Sequence, residues 1–402
     1  MQPPENFLKT PAAAAVINKG DKSCEEGPVS EHNQGHIPAM RFQRTTLLLL
    51  SLLGSATSRR RPAPILPDRL VHQFPPGIWI ENLAVRKNGN LLLTTLTPNA
   101  SVYEVVNPSS ENPSTELRFT ITSVDSFFGI AEIRPDIFAV IGGNHTSTAG
   151  KKGEWGVWLA NFTKSNTNND KSNSATIEPR LAVKLPDAVL LNGASAVPGK
   201  PNLVMAADSA RGLVYRINVN TGKIDITQNL VKMKSVPETD KDNSTNYSIG
   251  INGVRVRKKH LYFTNSATHG FYRVQVRSDG SSSPSAFRTM VETMTVLNEL
   301  FADDFDLGPG SQDTAWVVSN YNNSIMSVTT GGISTLAAGG TNSPVIPSVT
   351  SCRFGRTAAD DHVLYATTAG KRGKDAEGGK VVAFTVGRGQ LPHADLASSL
   401  SL

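Results

Sequence analysis

Residues 250–276 read GINGVRVRKKHLYFTNSATHGFYRVQV. A polar residue, Asn252, leads a short apolar run; a basic break, a second apolar run, a polar turn and a third run follow. Short runs rich in Val, Leu, Phe and Tyr between turn-forming residues are the pattern of consecutive strands. The order recurs along the chain. IWIENLAVRKNGNLLLTT at 78–95, LLNGASAVPGKPNLVMAADSARGLVYRINV at 190–219 and FADDFDLGPGSQDTAWVVSNYNNSIMSV at 301–328 are clear copies. FFGIAEIRPDIFAVIGGN at 127–144 and SVTSCRFGRTAADDHVLYATT at 348–368 are looser ones. Their lead positions, Glu81, Gly129, Asn192, Asn252, Asp304 and Thr350, fall 48, 63, 60, 52 and 46 residues apart. Repeats of this size with several strands each predict an all-β, six-bladed β-propeller. In that architecture the starts of the innermost strands surround one central funnel, so six distant positions meet at one site.

The 402 residues would suffice for two domains, but repeat proteins grow by adding units, so residues 59–402 read as one propeller domain. The net charge of +6 is spread without a long Lys/Arg run, which argues against a nucleic-acid partner. Residues 40–58, MRFQRTTLLLLSLLGSATS, place two arginines before an apolar stretch and small residues after it. That is the layout of a secretory signal peptide, too short to span a bilayer, and it predicts a secretory or secreted protein. Residues 1–39 read as a disordered leader or an assigned start upstream of the true one at Met40. Asn99, Asn144, Asn161, Asn243, Asn246 and Asn322 head N-x-S/T sequons, compatible with glycosylation. Cys352, the one cysteine after residue 58, falls in an expected strand and reads as a small core residue. Residues 290–301 suggest a short helix before the fifth blade, and His72–Phe74 a strand that closes the ring.

The spacings of the common catalytic classes are absent: no G-x-S-x-G, H-E-x-x-H, Walker or Rossmann glycine pattern occurs. The blade-leading residues are the better candidates. Glu81, Asn192, Asn252 and Asp304 would stand at the funnel mouth, either as a hard oxygen cage for Ca²⁺, Mg²⁺ or Mn²⁺ or as caps on the inner strands. Phe127, Phe128 and Thr350 would line the same space for a hydrophobic small molecule.

WIENLAVRKNGNLLLTT, LLNGASAVPG, AADSARGLVYRINVNTG, GINGVRVRKKHLYFTNS and TSCRFGRT, in that order, resemble the fungal branch of the SMP-30/gluconolactonase-like six-bladed propellers. Hydrolytic members of that family hold one divalent cation with a Glu, an Asn and an Asp. The resemblance puts Glu81 on the Glu, Asn192 on the Asn, and Asn252 where the family has its proton-accepting Asp. An amide accepts no proton at neutral pH, a departure that weakens the hydrolytic reading. The resemblance also implies a hetero-Diels–Alderase, a natural-product tailoring enzyme joining a quinone methide derived from a tropolone or polyketide to a terpene alkene. That reaction requires no cofactor, and Asn192 and Asn252 could donate hydrogen bonds to the heterodiene oxygen. Three readings therefore stand: this pericyclase, a metal-dependent lactonase or esterase using Glu81, Asn192 and Asn252, and a non-catalytic ligand-binding propeller.

Overall fold

Six antiparallel sheets of four strands each follow one another along the chain. The computed structural model describes residues 65–145, 150–163, 177–235, 249–283, 291–297, 300–309 and 314–387. The leader, the signal segment and the sequons at Asn243 and Asn246 lie outside them. The innermost strands are Trp79–Val85, Ser126–Arg134, Leu191–Val197, Ile251–Arg257, Ala302–Leu307 and Val349–Phe354, one for each of blades 1 to 6. Each packs against the next, and blade 6 returns to blade 1, so the ring is closed.

The sixth sheet is built from both ends of the domain. Its outer strand is Asp68–Gln73, which pairs with the strand Lys380–Thr385 from Asp68 opposite Phe384 to Gln73 opposite Lys380. Phe74 and Val71 are buried against Ile80, Leu83, Tyr365 and Val381 at the junction of blades 6 and 1. The N-terminal segment thus supplies the closure, as the fourth strand of a sheet whose other three come from the end of the domain. The expected helix at 290–301 is not formed in its described part: Glu292–Val296 is the outer strand of blade 4. Val291, Met294 and Leu297 pack on neighbouring strands, and tertiary burial overrides the local pattern. Among the described residues there is no α-helix, and none long and apolar enough to cross a membrane. Cys352 is fully buried, its Sγ 3.2 Å from the Trp316 carbonyl oxygen.

All six inner strands share one irregularity. Near the start of each, the pairing with the second strand slips: at Ile80/Asn82, Phe127/Ile130, Leu191/Ala194, Ile251/Val254, Ala302/Phe305 and Val349/Ser351. A bulge leaves one residue out of the ladder and re-aims its side chain. Immediately after it, Gly129, Gly193 and Gly253 let consecutive strands approach closely. A Cβ on Gly129 would sit 2.5 Å from the Asn192 carbonyl oxygen, and one on Gly193 2.4 Å from that of Asn252. In the other three blades the same position carries Asp304, Ser351 and Asn82.

Candidate functional site in the propeller funnel

Aligned on the shared bulge, the residues at the funnel mouth are Glu81, Phe128, Asn192, Asn252, Asp303 and Thr350, all buried. Four of the six expected leads hold this position. In blades 2 and 5 the ring residue is Phe128 rather than Gly129 and Asp303 rather than Asp304. The register is fixed by the apolar residue two places on (Leu83, Ile130, Ala194, Val254, Phe305, Cys352), which is paired in the ladder in every blade.

Asp304 lies one step deeper and serves as a hub. Its Oδ2 accepts from Asn82 Nδ2 at 3.0 Å, Ser351 Oγ at 2.7 Å, Arg255 Nη2 at 2.9 Å and Arg353 Nη2 at 3.1 Å. These partners come from blades 1, 4 and 6, so one carboxylate ties four blades together at the axis. Its Oδ1 is buried without a hydrogen-bond partner, and a Cβ on Gly253 would lie 2.3 Å from it. Asp304, expected at the mouth, is therefore part of the cup's floor. Phe127 also departs from expectation. It is fully buried between Phe119 and Trp158, with ring centroids 6.1 and 5.7 Å away, and does not line the funnel.

The ring residues differ in what they leave free. Glu81 accepts a 2.8 Å hydrogen bond from Trp79 Nε1 through Oε2. Burial pushes its carboxyl up to about 7, against the Trp79 N–H and helped by the nearby charge of Asp304. Asp303 is likewise held well above the usual carboxylate range, first by burial and then by Glu81 and Asp304. Asn252 Nδ2 donates to Asp303 Oδ1 at 2.8 Å and Ser266 Oγ at 3.0 Å. Both its amide hydrogens are thus occupied and its carbonyl oxygen remains. Asn192 makes no side-chain hydrogen bond among the described residues. Thr350 Oγ1 donates to the Ile80 carbonyl at 2.8 Å and meets Thr367 Oγ1 at 3.0 Å, a link between blades 6 and 1.

Phe128 is the one apolar member of the ring. It packs on Trp155 at 5.3 Å and edge-on to His145 at 5.7 Å. His145 is partly buried, and burial lowers its pKa. The cup therefore has a carboxyl and amide side and an aromatic side. Among the described residues no three His, Cys, Asp or Glu side chains converge as a metal cage, so a cation here would depend on amide oxygens. Of the described sequons, Asn99 and Asn161 are exposed. Asn144 is engaged with Asp125 N and Glu154, and Asn322 with Ser319 and Phe301 N.

No protein-family model matches the chain. A protein of Sarocladium schorii, provisionally named a hetero-Diels–Alderase, is 31% identical over 382 residues, covering 90% of this chain and 89% of the relative. The chain belongs to the hetero-Diels–Alderase family. A second provisionally named hetero-Diels–Alderase, from a Phoma species, is 28% identical over 350 residues, spanning 82% of this chain and 95% of its own. Among solved structures, the calcium-binding protein regucalcin from Agrobacterium tumefaciens superposes with a TM-score of 0.54 at 12% identity, covering 80% of this chain and 94% of its own. That likeness shows that this hetero-Diels–Alderase family member shares the propeller fold with regucalcin.

Proposed function

We propose that this protein catalyses a hetero-Diels–Alder cycloaddition in the funnel cup, joining a quinone-methide heterodiene of tropolone or polyketide origin to a terpene alkene. The observation that carries the reading is the 31% identity over 90% of the chain to a family member bearing that name. The cup's chemistry agrees with it. In the reaction the heterodiene's oxygen and its terminal carbon each bond to one alkene carbon. Two new σ bonds replace two π bonds, no atom leaves, and nothing is oxidised or reduced. Catalysis then consists of holding two reactants in register and placing donors on the oxygen as it gains electron density. Orientation alone supplies up to about 7–11 kcal/mol in favourable cases, and donors fixed in a water-poor cup add to it. Asn192 has a free amide, Glu81 a free carboxyl oxygen, and Phe128 offers an apolar wall to the alkene.

The test is product formation from a quinone methide released in situ beside a terpene alkene, with stereochemistry read by chiral chromatography. Enantioenriched adduct formed faster than in buffer, with and without chelator, is expected. Racemic adduct at the buffer rate would end the proposal.

One observation favours a second reading. Glu81 and Asp303 are two carboxyls in one buried ring, and the charge of Glu81 pushes Asp303 up, a conflict a divalent cation would relieve. Glu81, Asn192 and Asn252, joined by Asp303, would hold Ca²⁺, Mg²⁺ or Mn²⁺ through oxygens. When bound, such an ion would polarise a lactone carbonyl. Metal content of the purified protein, with hydrolysis of a lactone panel before and after chelation, tests this reading. Secretion and glycan attachment at the exposed Asn99 and Asn161 complete the proposal, checked by a mass shift on deglycosylation.

A further inference from the structure

Above the cup, blade 6 sends the connection between its strands Val363–Thr368 and Lys380–Thr385 over the start of blade 1. Its base is pinned: Gly379 N donates to the Ile78 carbonyl at 2.7 Å, and Lys371 and Glu377 pair across it through their backbones. Glu377 is also taken by two lysines, Lys371 Nζ at 2.9 Å and Lys380 Nζ at 2.7 Å. The tip carries Arg372. Its guanidinium carbon stands 4.9 Å from the centroid of the Trp79 ring, and Trp79 is the residue that donates to Glu81 in the cup. His145, the neighbour of the ring residue Phe128, lies within electrostatic reach of Arg372 and of Asp125.

Arg372 is exposed and makes no ion pair among the described residues. The loop's Glu377, which could have neutralised it, is engaged by the lysines instead. A guanidinium lying against an indole keeps its N–H edge available in plane, the arrangement that receives a carboxylate or phenolate oxygen with two parallel hydrogen bonds. It stands beside Trp79, at a rim whose inner ring presents carboxyls.

We propose that Arg372, held over Trp79, is a specificity residue that receives an ionised oxygen on the outward-facing edge of the polar reactant, as in a carboxylate, a phenolate or an acidic enol. The inference rests on the proposed reaction taking place in this cup. A reactant ionised at one edge would be drawn to the rim by charge and oriented by the fork, with its neutral heterodiene directed inward to Asn192 and Glu81. If the stack merely packed the loop, a neutral side chain of similar reach would serve equally well.

The experiment titrates the full chain with benzoate and with its uncharged analogue methyl benzoate, following tryptophan fluorescence, with Trp79→Phe identifying the reporting ring. Benzoate should bind about tenfold more tightly than the ester at low salt, the factor that one charge-assisted hydrogen bond supplies. The preference should shrink as salt screens it. R372Q should bring the two affinities together, and R372K should restore part of the difference. Equal affinities in the unaltered protein, no saturable signal with either probe, or a preference that survives R372Q would overturn the proposal. Benzoate binding asks nothing of the cycloaddition, so its failure leaves the reaction standing. Racemic product beside an intact benzoate preference would remove the reaction instead.

Discussion

Replacing Asp304 by Asn removes one negative charge and keeps a carbonyl oxygen where four donors converge. Two of those donors are guanidiniums whose side chains are only 13% and 12% exposed, at Arg255 and Arg353. Removing one partner of a buried ion pair costs about 3–5 kcal/mol, because the remaining charge is left without compensation. Both arginines retain carbonyl partners, Arg255 on Ala194 and Val254 and Arg353 on Phe305 and Cys352. The lower end, about 3 kcal/mol, is therefore expected. With a urea m-value of roughly 3 kcal/mol/M, the upper part of the usual range for a chain this long, the midpoint should fall by about 1 M. Urea unfolding followed by far-UV circular dichroism measures this. The companion D303N removes a carboxyl whose ionised form burial already disfavours, and should shift the midpoint far less. If D304N unfolded within 0.2 M of the parent (roughly 0.6 kcal/mol by the same m-value), Asp304 would not be the hub that joins four blades.

Three further outcomes follow from the same geometry. Burial raises Asp306 to about 6, so its contribution to stability is complete below pH 4 and is lost as pH rises through 6. D306N, which keeps an acceptor for Phe354 N, should therefore gain on the parent by about 2–3 kcal/mol between pH 4 and pH 7.5 in urea titrations; a constant difference would contradict this. F128L should keep the adduct forming but lower its enantiomeric excess, since the ring's aromatic wall shrinks while the carboxyl and amide side is untouched; unchanged excess would move the alkene elsewhere. A chain starting at Phe74 loses the strand Asp68–Gln73 and should elute from size exclusion as aggregate or unfold at markedly lower urea; a parent-like midpoint would show that the closing strand is dispensable.

The ring of blades was legible because each inner strand repeats a polar residue before an apolar run, and because turns separate the runs. The residue within each repeat was harder to fix. In blade 2 the eye falls on Gly129, since a glycine marks the equivalent place at Gly193 and Gly253 when a polar residue precedes it. Phe128 breaks that pattern and hides the true alignment. In blade 5, two adjacent aspartates are chemically identical in sequence, and only the bulge assigns one to the mouth and the other to the hub. A signal was available in the apolar residue two places after each ring position, Leu83 through Cys352. The roles of Arg255, Arg353 and Arg372 were not legible, since a long side chain's destination depends on what lies across the axis. Asn252 was read as a donor, but its hydrogens go to Asp303 and Ser266, which only the folded ring brings to it.

Because the outer strand of blade 6 comes from Asp68–Gln73, the segment made first during synthesis finds its partner last. Lys380–Thr385 follows about three hundred residues later, at roughly 5–20 residues per second, so the early strand spends tens of seconds unpaired. Contacts that join distant parts of a chain form slowly, and until the two segments meet, the edge of Lys380–Thr385 and the apolar faces of blades 1 and 6 stay uncovered. The yield of folded protein is therefore tied to how well that early strand is shielded while the rest of the ring is made.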